Sequence, residues 1–172
     1  MVGMSKKTCT FLAFFAFLTL FCADLRAQEA DPFRSTSYPL PRFVSVGSEE
    51  VFVRTGPGKQ YPVKWELRQR GLPVEIILEF DNWRKIRDHE GGEGWVHSSL
   101  LSGRRTAFVV ADSLIDLRLK AKQDARVIAK LEPGTLLNVD ECDGIWCKVK
   151  VAGYKGWIRQ PRLWGVYENE VF

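Results

Sequence analysis

The chain repeats itself once, with a period of about 63 residues. Val51 to Leu67 aligns with Ile115 to Leu131 so that Arg54 falls on Arg118, Val63 on Val127 and Leu67 on Leu131, all at an offset of 64. Trp83 then falls on Trp146 and Ile86 on Val149 at 63, and Gly94-Trp95-Val96 falls on Gly156-Trp157-Ile158 at 62. The drift is what small differences in loop length produce. A repeat sets the architecture before any local reading. Here it specifies two copies of one small module, with four of the six Trp at repeated positions. Matched aromatics on a repeated scaffold point to binding rather than to a single catalytic centre.

The amino terminus reads as a targeting segment. Lys6 and Lys7 form a positive region, and Phe11 to Phe21 is an apolar run broken only by Thr19, too short to span a bilayer. Leu25-Arg26-Ala27 predicts cleavage after Ala27, with residues 1–27 a signal peptide and the mature chain periplasmic or secreted, without a membrane span. Phe21 before Cys22 argues against lipidation, which needs a small residue there. Without Lys6, Lys7, Arg26 and Asp24 the balance is 22 basic against 20 acidic residues, or +2. That is a poor footprint for nucleic acid, which needs clustered basic charge.

Residues 28–42 hold several Pro, Ser and Thr with no period and read as an extended linker. The repeats occupy 43–105 and 106–167, and 168–172 form a tail. Val51 and Val53 alternate, as do Val74, Ile76, Leu78 and Phe80, with turns at Asp81-Asn82 and Glu90-Gly91-Gly92. In the second repeat the strands are read as Val109–Ile115, Leu136–Cys142, Ile145–Val151 and Tyr154–Arg159. Short strands with Gly-rich turns and no amphipathic helix predict an all-β fold of small barrels. Units of about 60 residues are marginal alone, so the two are expected to abut.

Val51-Phe-Val-Arg-Thr-Gly-Pro-Gly58, the Trp83-x-x-Ile86 strand and Gly94-Trp95-Val96 resemble a bacterial SH3-like domain. Leu117-Arg118, Trp146-x-x-Val149 and Gly156-Trp157-Ile158 repeat the pattern, so the resemblance covers nearly all of the mature chain. It implies two tandem five-stranded SH3-like barrels in an exported protein of proteobacterial type, and modules that bind cell-wall material or peptides. Phe52 stands where the family usually has Asn. Lys120-Ala121-Lys122 replaces Gly56-Pro57-Gly58, which implies a different first loop in the second repeat.

Alternation along a strand places Trp83 opposite Ile86 and Trp146 opposite Val149. A two-residue turn at Ala152-Gly153 would pair Lys148 with Trp157, putting Trp146 and Trp157 on one face and Cys147, Val149 and Ile158 on the other. Trp83, Trp95, Trp146 and Trp157, with Tyr61, are therefore the candidate binding residues, an outer platform for sugar rings or Pro-rich peptide. Coverage of the same Trp by a loop or by the other repeat is the competing reading. Trp65 reads as core or interface.

Cys142 and Cys147 are the two Cys of the mature chain. In an exported protein they predict a disulfide contributing about 2 kcal/mol; a four-residue loop would set the two directly opposite, whereas a two-residue turn at Asp143-Gly144 would set them diagonally and strain the bridge, and free thiols and a redox pair are the alternatives. His89 and His97 lie in the other repeat, so no metal site or cofactor is expected. With both Cys in one repeat and both His in the other, no Cys-His nucleophile pair is expected, and no catalytic domain is expected beside the two modules. The expected function is non-enzymatic recognition of peptidoglycan or peptide segments. The alternative is an assembly subunit whose Trp faces pack on an envelope protein.

Overall fold

The computed structural model describes residues 33–172. The predicted signal peptide and cleavage site, with Cys9 and Cys22, lie outside them. Seven strands form the first antiparallel sheet: β1 (Arg42–Val46), β2 (Val51–Arg54), β3 (Val63–Leu67), β4 (Pro73–Phe80), β5 (Trp83–Arg87), β6 (Glu93–His97) and β7 (Leu101–Ser102). The second repeats them: β8 (Thr106–Val109), β9 (Ile115–Arg118), β10 (Val127–Leu131), β11 (Leu136–Cys142), β12 (Trp146–Val151), β13 (Tyr154–Arg159) and β14 (Leu163–Trp164). Their orders, β3-β2-β6-β5-β4-β1-β7 and β10-β9-β13-β12-β11-β8-β14, are the same. The protein is thus two tandem all-β domains of one topology. The five longer-range strands of each are joined by the returning limb of a long loop (β3, β10) and by a two-residue strand (β7, β14). No helix among the described residues is long and apolar enough to cross a membrane.

The repeat extends to irregularities. Bulges fall at Lys64 and Ile77 in the first sheet and at Ile128 and Asp140 in the second, the same places in each pattern. Alternation then fills two separate cores, one around Val51, Val53, Ile76, Ile86 and Val96, the other around Leu117, Leu137, Val149 and Ile158. One strand reading is corrected. Val109–Ile115 is not continuous; β8 ends at Val109 and β9 begins at Ile115. Asp112-Ser113 breaks the apolar run, as Ser48-Glu49 does between β1 and β2.

Gly94 and Gly156 owe their repetition to close strand approach. A Cβ on Gly156 would stand 2.7 Å from the Arg118 carbonyl oxygen, and one on Gly94 2.9 Å from that of Arg54. Backbone cannot retreat as a side-chain end can. Gly156→Ala should therefore destabilise by about 1–3 kcal/mol, read in a thermal melt; an unchanged Tm would show that β9 and β13 separate freely.

The domains abut through aromatic and polar contacts. Phe43 packs on Trp164 (5.1 Å between centroids) and Tyr167 (4.7 Å), and His89 on Phe108 (4.9 Å). The Tyr167 hydroxyl donates to Glu75 at 2.8 Å. Burial, then that hydrogen bond to a carboxylate, holds the phenol well above its ordinary pKa, so it remains a donor.

The terminal segments are docked at matching places. Glu79 N–H, at the end of β4, donates to the Phe33 carbonyl, and Cys142 N–H, at the equivalent end of β11, donates to the Phe172 carbonyl. Glu170 is gripped by both Arg105 terminal nitrogens at 2.8 and 2.9 Å.

Candidate functional site

The expected turn at Ala152-Gly153 forms, with both residues at positive φ (47° and 82°). It sets Lys148 opposite Trp157 and Trp146 opposite Arg159, and places Trp146 and Trp157 on one face while Cys147, Val149 and Ile158 enter the core. In the first domain Trp83 pairs with His97 and Lys85 with Trp95, with Ile86 and Val96 inside. The four Trp therefore occupy the outer faces in both copies. An open platform does not follow. Trp95 is 8% exposed and Trp146 6%, whereas Trp83 and Trp157 are half-buried. Cations stand against the second pair of rings: Arg159 lies 5.3 Å from the Trp146 centroid and Lys148 5.5 Å from that of Trp157. Trp83 meets His97 edge-on at 5.4 Å. Trp65 is partly buried and packs against the first core.

The long loop after β2 and β9 is built alike in both domains, contrary to the expectation from the missing Gly-Pro-Gly. Arg54 donates to the Tyr61 carbonyl at 2.8 Å, and Arg118 to that of Ala125 at 2.9 Å. Thr55 N–H bonds Pro62 O as Leu119 N–H bonds Arg126 O, and Tyr61 N–H bonds Gly58 O as Ala125 N–H bonds Lys122 O. The repeated arginine, rather than the glycines, ties the loop back to its strand. The glycine serves the side chain: a Cβ on Gly56 would stand 2.5 Å from the Tyr61 ring. In the second domain Lys120 replaces Gly56 and Ala125 replaces Tyr61, so the bulk changes sides. Tyr61 is 40% exposed and lies on this loop, apart from the Trp strands.

Beside the second loop runs a groove of about 780 Å³. Trp146 and Ile158 line it with Leu114 and Ile115, and Asp116, Arg118, Arg159 and Arg162 supply charge. Asp116 is spent on Arg118 at 2.8 Å. Arg159 and Arg162 form no ion pair among the described residues. The groove thus combines an apolar edge at Leu114 with two guanidinium groups outside any such ion pair, one of them stacked on the buried Trp146. Register places His97 in the first domain where Arg159 stands in the second, and the offset places Leu100 at Arg162 and Glu50 at Leu114. The copies share a scaffold and differ in the chemistry they present.

Cys142 and Cys147 are bonded, directly opposite in register across a loop shaped by Asp143, whose Oδ1 accepts from Ile145 and Trp146 N–H groups. The matched positions in the first domain are Glu79 and Arg84, also directly opposite. Glu79 is fully buried, with Oε1 2.6 Å from Arg42 and 3.3 Å from Arg84, and Thr36 donates to it through both N–H and hydroxyl at 2.7 and 2.9 Å. Burial pushes its pKa up, but the Arg42 and Thr36 hydrogen bonds and the Arg84 charge outweigh burial and hold it below the usual 4.5. One domain closes its hairpin covalently, the other by a buried ion cluster that also holds the amino-terminal segment. The offset of 63 from Cys142 to Glu79 was the available signal for this cluster.

One hydroxyl meets a base two residues away in sequence. Ser99 Oγ lies 2.8 Å from His97 Nδ1, which also accepts from the Ser99 N–H as the cap of a single 3-10 turn. No group of three or more His, Cys, Asp or Glu able to hold a metal ion occurs among the described residues.

The sequence model of the bacterial SH3 domain matches residues 47–103 and 112–165. The putative N-acetylmuramoyl-L-alanine amidase YrvJ of Bacillus subtilis is 32% identical over 131 residues, covering 66% of this chain and 25% of its own length. The chain therefore spans about a quarter of that relative. Among solved structures, NlpC1 and NlpC2 from Trichomonas vaginalis are each 15% identical with TM-scores of 0.34; the alignments cover 75% and 74% of this chain and 47% and 49% of theirs.

Proposed function

Because the chain belongs to the bacterial SH3 domain family, we propose that it is an exported, non-enzymatic binding protein that recognises peptidoglycan or its peptide segments at the cell envelope. The observation that carries this reading is the second-domain groove, where Arg159 and Arg162, neither in an ion pair among the described residues, stand beside the exposed Leu114, with Arg159 over the buried Trp146 ring. The exposed Leu114 offers an apolar surface to a ligand's apolar part. Guanidinium groups bind carboxylates in a forked geometry. The name of the amidase relative, which specifies an N-acetylmuramoyl–alanine linkage, supports a wall ligand. A hydrolytic role draws no support from the groove, since both thiols are joined in the disulfide and His97 caps a turn with its Nδ1.

Arg159→Glu with Arg162→Glu should weaken co-sedimentation with purified peptidoglycan roughly tenfold or more. Both side chains are exposed, so the fold should persist. His97→Glu in the first domain serves as the control. Equal retention of the double variant and the wild type would exclude the groove as the wall-binding site. Retention by an envelope protein instead of peptidoglycan would favour an assembly role.

A further inference from the structure

At the junction of the domains lies a second cavity, of about 280 Å³, lined by residues separate from those of the Trp146 groove. Arg70, just before β4, and Arg104, between β7 and β8, stand on it, with Ser45, Ser102, Thr106 and Asn138 supplying hydroxyls and an amide. No carboxylate is among the described residues that line it. The neighbouring Arg68 and Arg105 are engaged by Glu66 and Glu170. Arg70 and Arg104 have no ion pair among the described residues, and both are exposed. Two like charges facing one small polar cavity raise the local potential for an anion.

An independent feature points the same way. Thr106 pairs with Asn138 across β8 and β11, so their side chains share the face opposite core residues Ala107 and Leu137. Thr106 is 3% exposed, and its hydroxyl has no hydrogen-bond partner among the described residues. Buried hydroxyls are nearly always partnered, because burial without a partner forfeits their hydration. Gly71, with φ +87°, turns the chain beside Arg70 in a conformation that other residues rarely adopt.

We propose that this interdomain cavity is an anion site. It takes a phosphate or carboxylate group between Arg70 of the first domain and Arg104 of the connecting segment, with the Thr106 hydroxyl as a further donor. Arginine suits the task, since its planar fork matches both oxyanions. The cavity is smaller than most organic-ligand pockets, so it takes a single anionic group rather than a disaccharide. A ligand held there contacts both domains and stiffens their junction. The site is independent of the peptidoglycan groove and stands or falls separately from it.

The test is an amide-resolved NMR titration of the full mature chain with inorganic phosphate and, separately, N-acetylalanine, against chloride at matched ionic strength. Saturable shifts confined to Gly71, Ser102, Arg104 and Asn138 are expected, and the stronger of the two ligands identifies the oxyanion. Arg70→Ala with Arg104→Ala should reduce affinity at least tenfold. Thr106→Val, which conserves shape, should weaken it several-fold. Shifts that chloride reproduces, or that survive the double substitution, would overturn the proposal; unchanged affinity in Thr106→Val would remove that hydroxyl from the site.

Discussion

Glu79→Ala should destabilise the protein by about 3–5 kcal/mol, the cost of leaving buried cations without their anion. The carboxylate is fully buried, and it is shared by Arg42, Arg84 and Thr36, so its removal uncouples three elements together: the amino-terminal segment, β1 and β5. Urea unfolding measures the loss, and a change under 1 kcal/mol would mean that Arg42 and Arg84 find solvent at no cost. The cluster also sets a pH dependence. Folding lowers the Glu79 pKa below the usual 4.5, so the folded state holds its proton less tightly than the unfolded chain. The contribution is fully present above that usual value and is lost as pH falls through the lower folded one. Urea midpoints of the wild type should drop on acidification through this range more steeply than those of Glu79→Gln; parallel curves would assign the acid sensitivity to other carboxylates.

The second large effect is expected at Trp95. Trp95→Ala should cost about 3–5 kcal/mol, the range for a buried aromatic, because the ring is 8% exposed. Trp83, on the same outer face but half-buried, should cost clearly less. Chemical denaturation of the two variants separates a covered face from an open one. If Trp95→Ala melts with the wild type and loses peptidoglycan binding, the ring is part of an exposed platform and the burial argument fails.

Side-chain direction could be read from the sequence because strands have a fixed period. Trp83 and Ile86 are three apart and must oppose each other, and the Ala152-Gly153 turn fixes which residues face across β12 and β13. The same logic offered two registers for Cys142 and Cys147, and the structure forms the one that sets them directly opposite. The repeat did more than any local signal. Applied to the end it yields Glu79 matched to Cys142 and Arg84 to Cys147, and the break between β8 and β9 that local hydrophobicity concealed at Val109 to Ile115.

Pattern along one strand says nothing about what lies over the sheet. Trp95 and Trp83 share a face, yet one is sealed and the other is not, because burial depends on segments distant in the chain. Phe33 and Phe172 complete equivalent strand ends in different domains, although neither terminal segment carries a strand pattern. The shared loop geometry was hidden for a related reason: the arginine contact at Arg54 and Arg118 runs to a carbonyl seven residues on, and a carbonyl has no identity in sequence. Repeat period and alternation determined which residues could face one another. Only packing of the two domains and their termini decided which of those faces water reaches, and which cations, Arg159 and Arg162 in the groove and Arg70 and Arg104 at the junction, were left without a carboxylate.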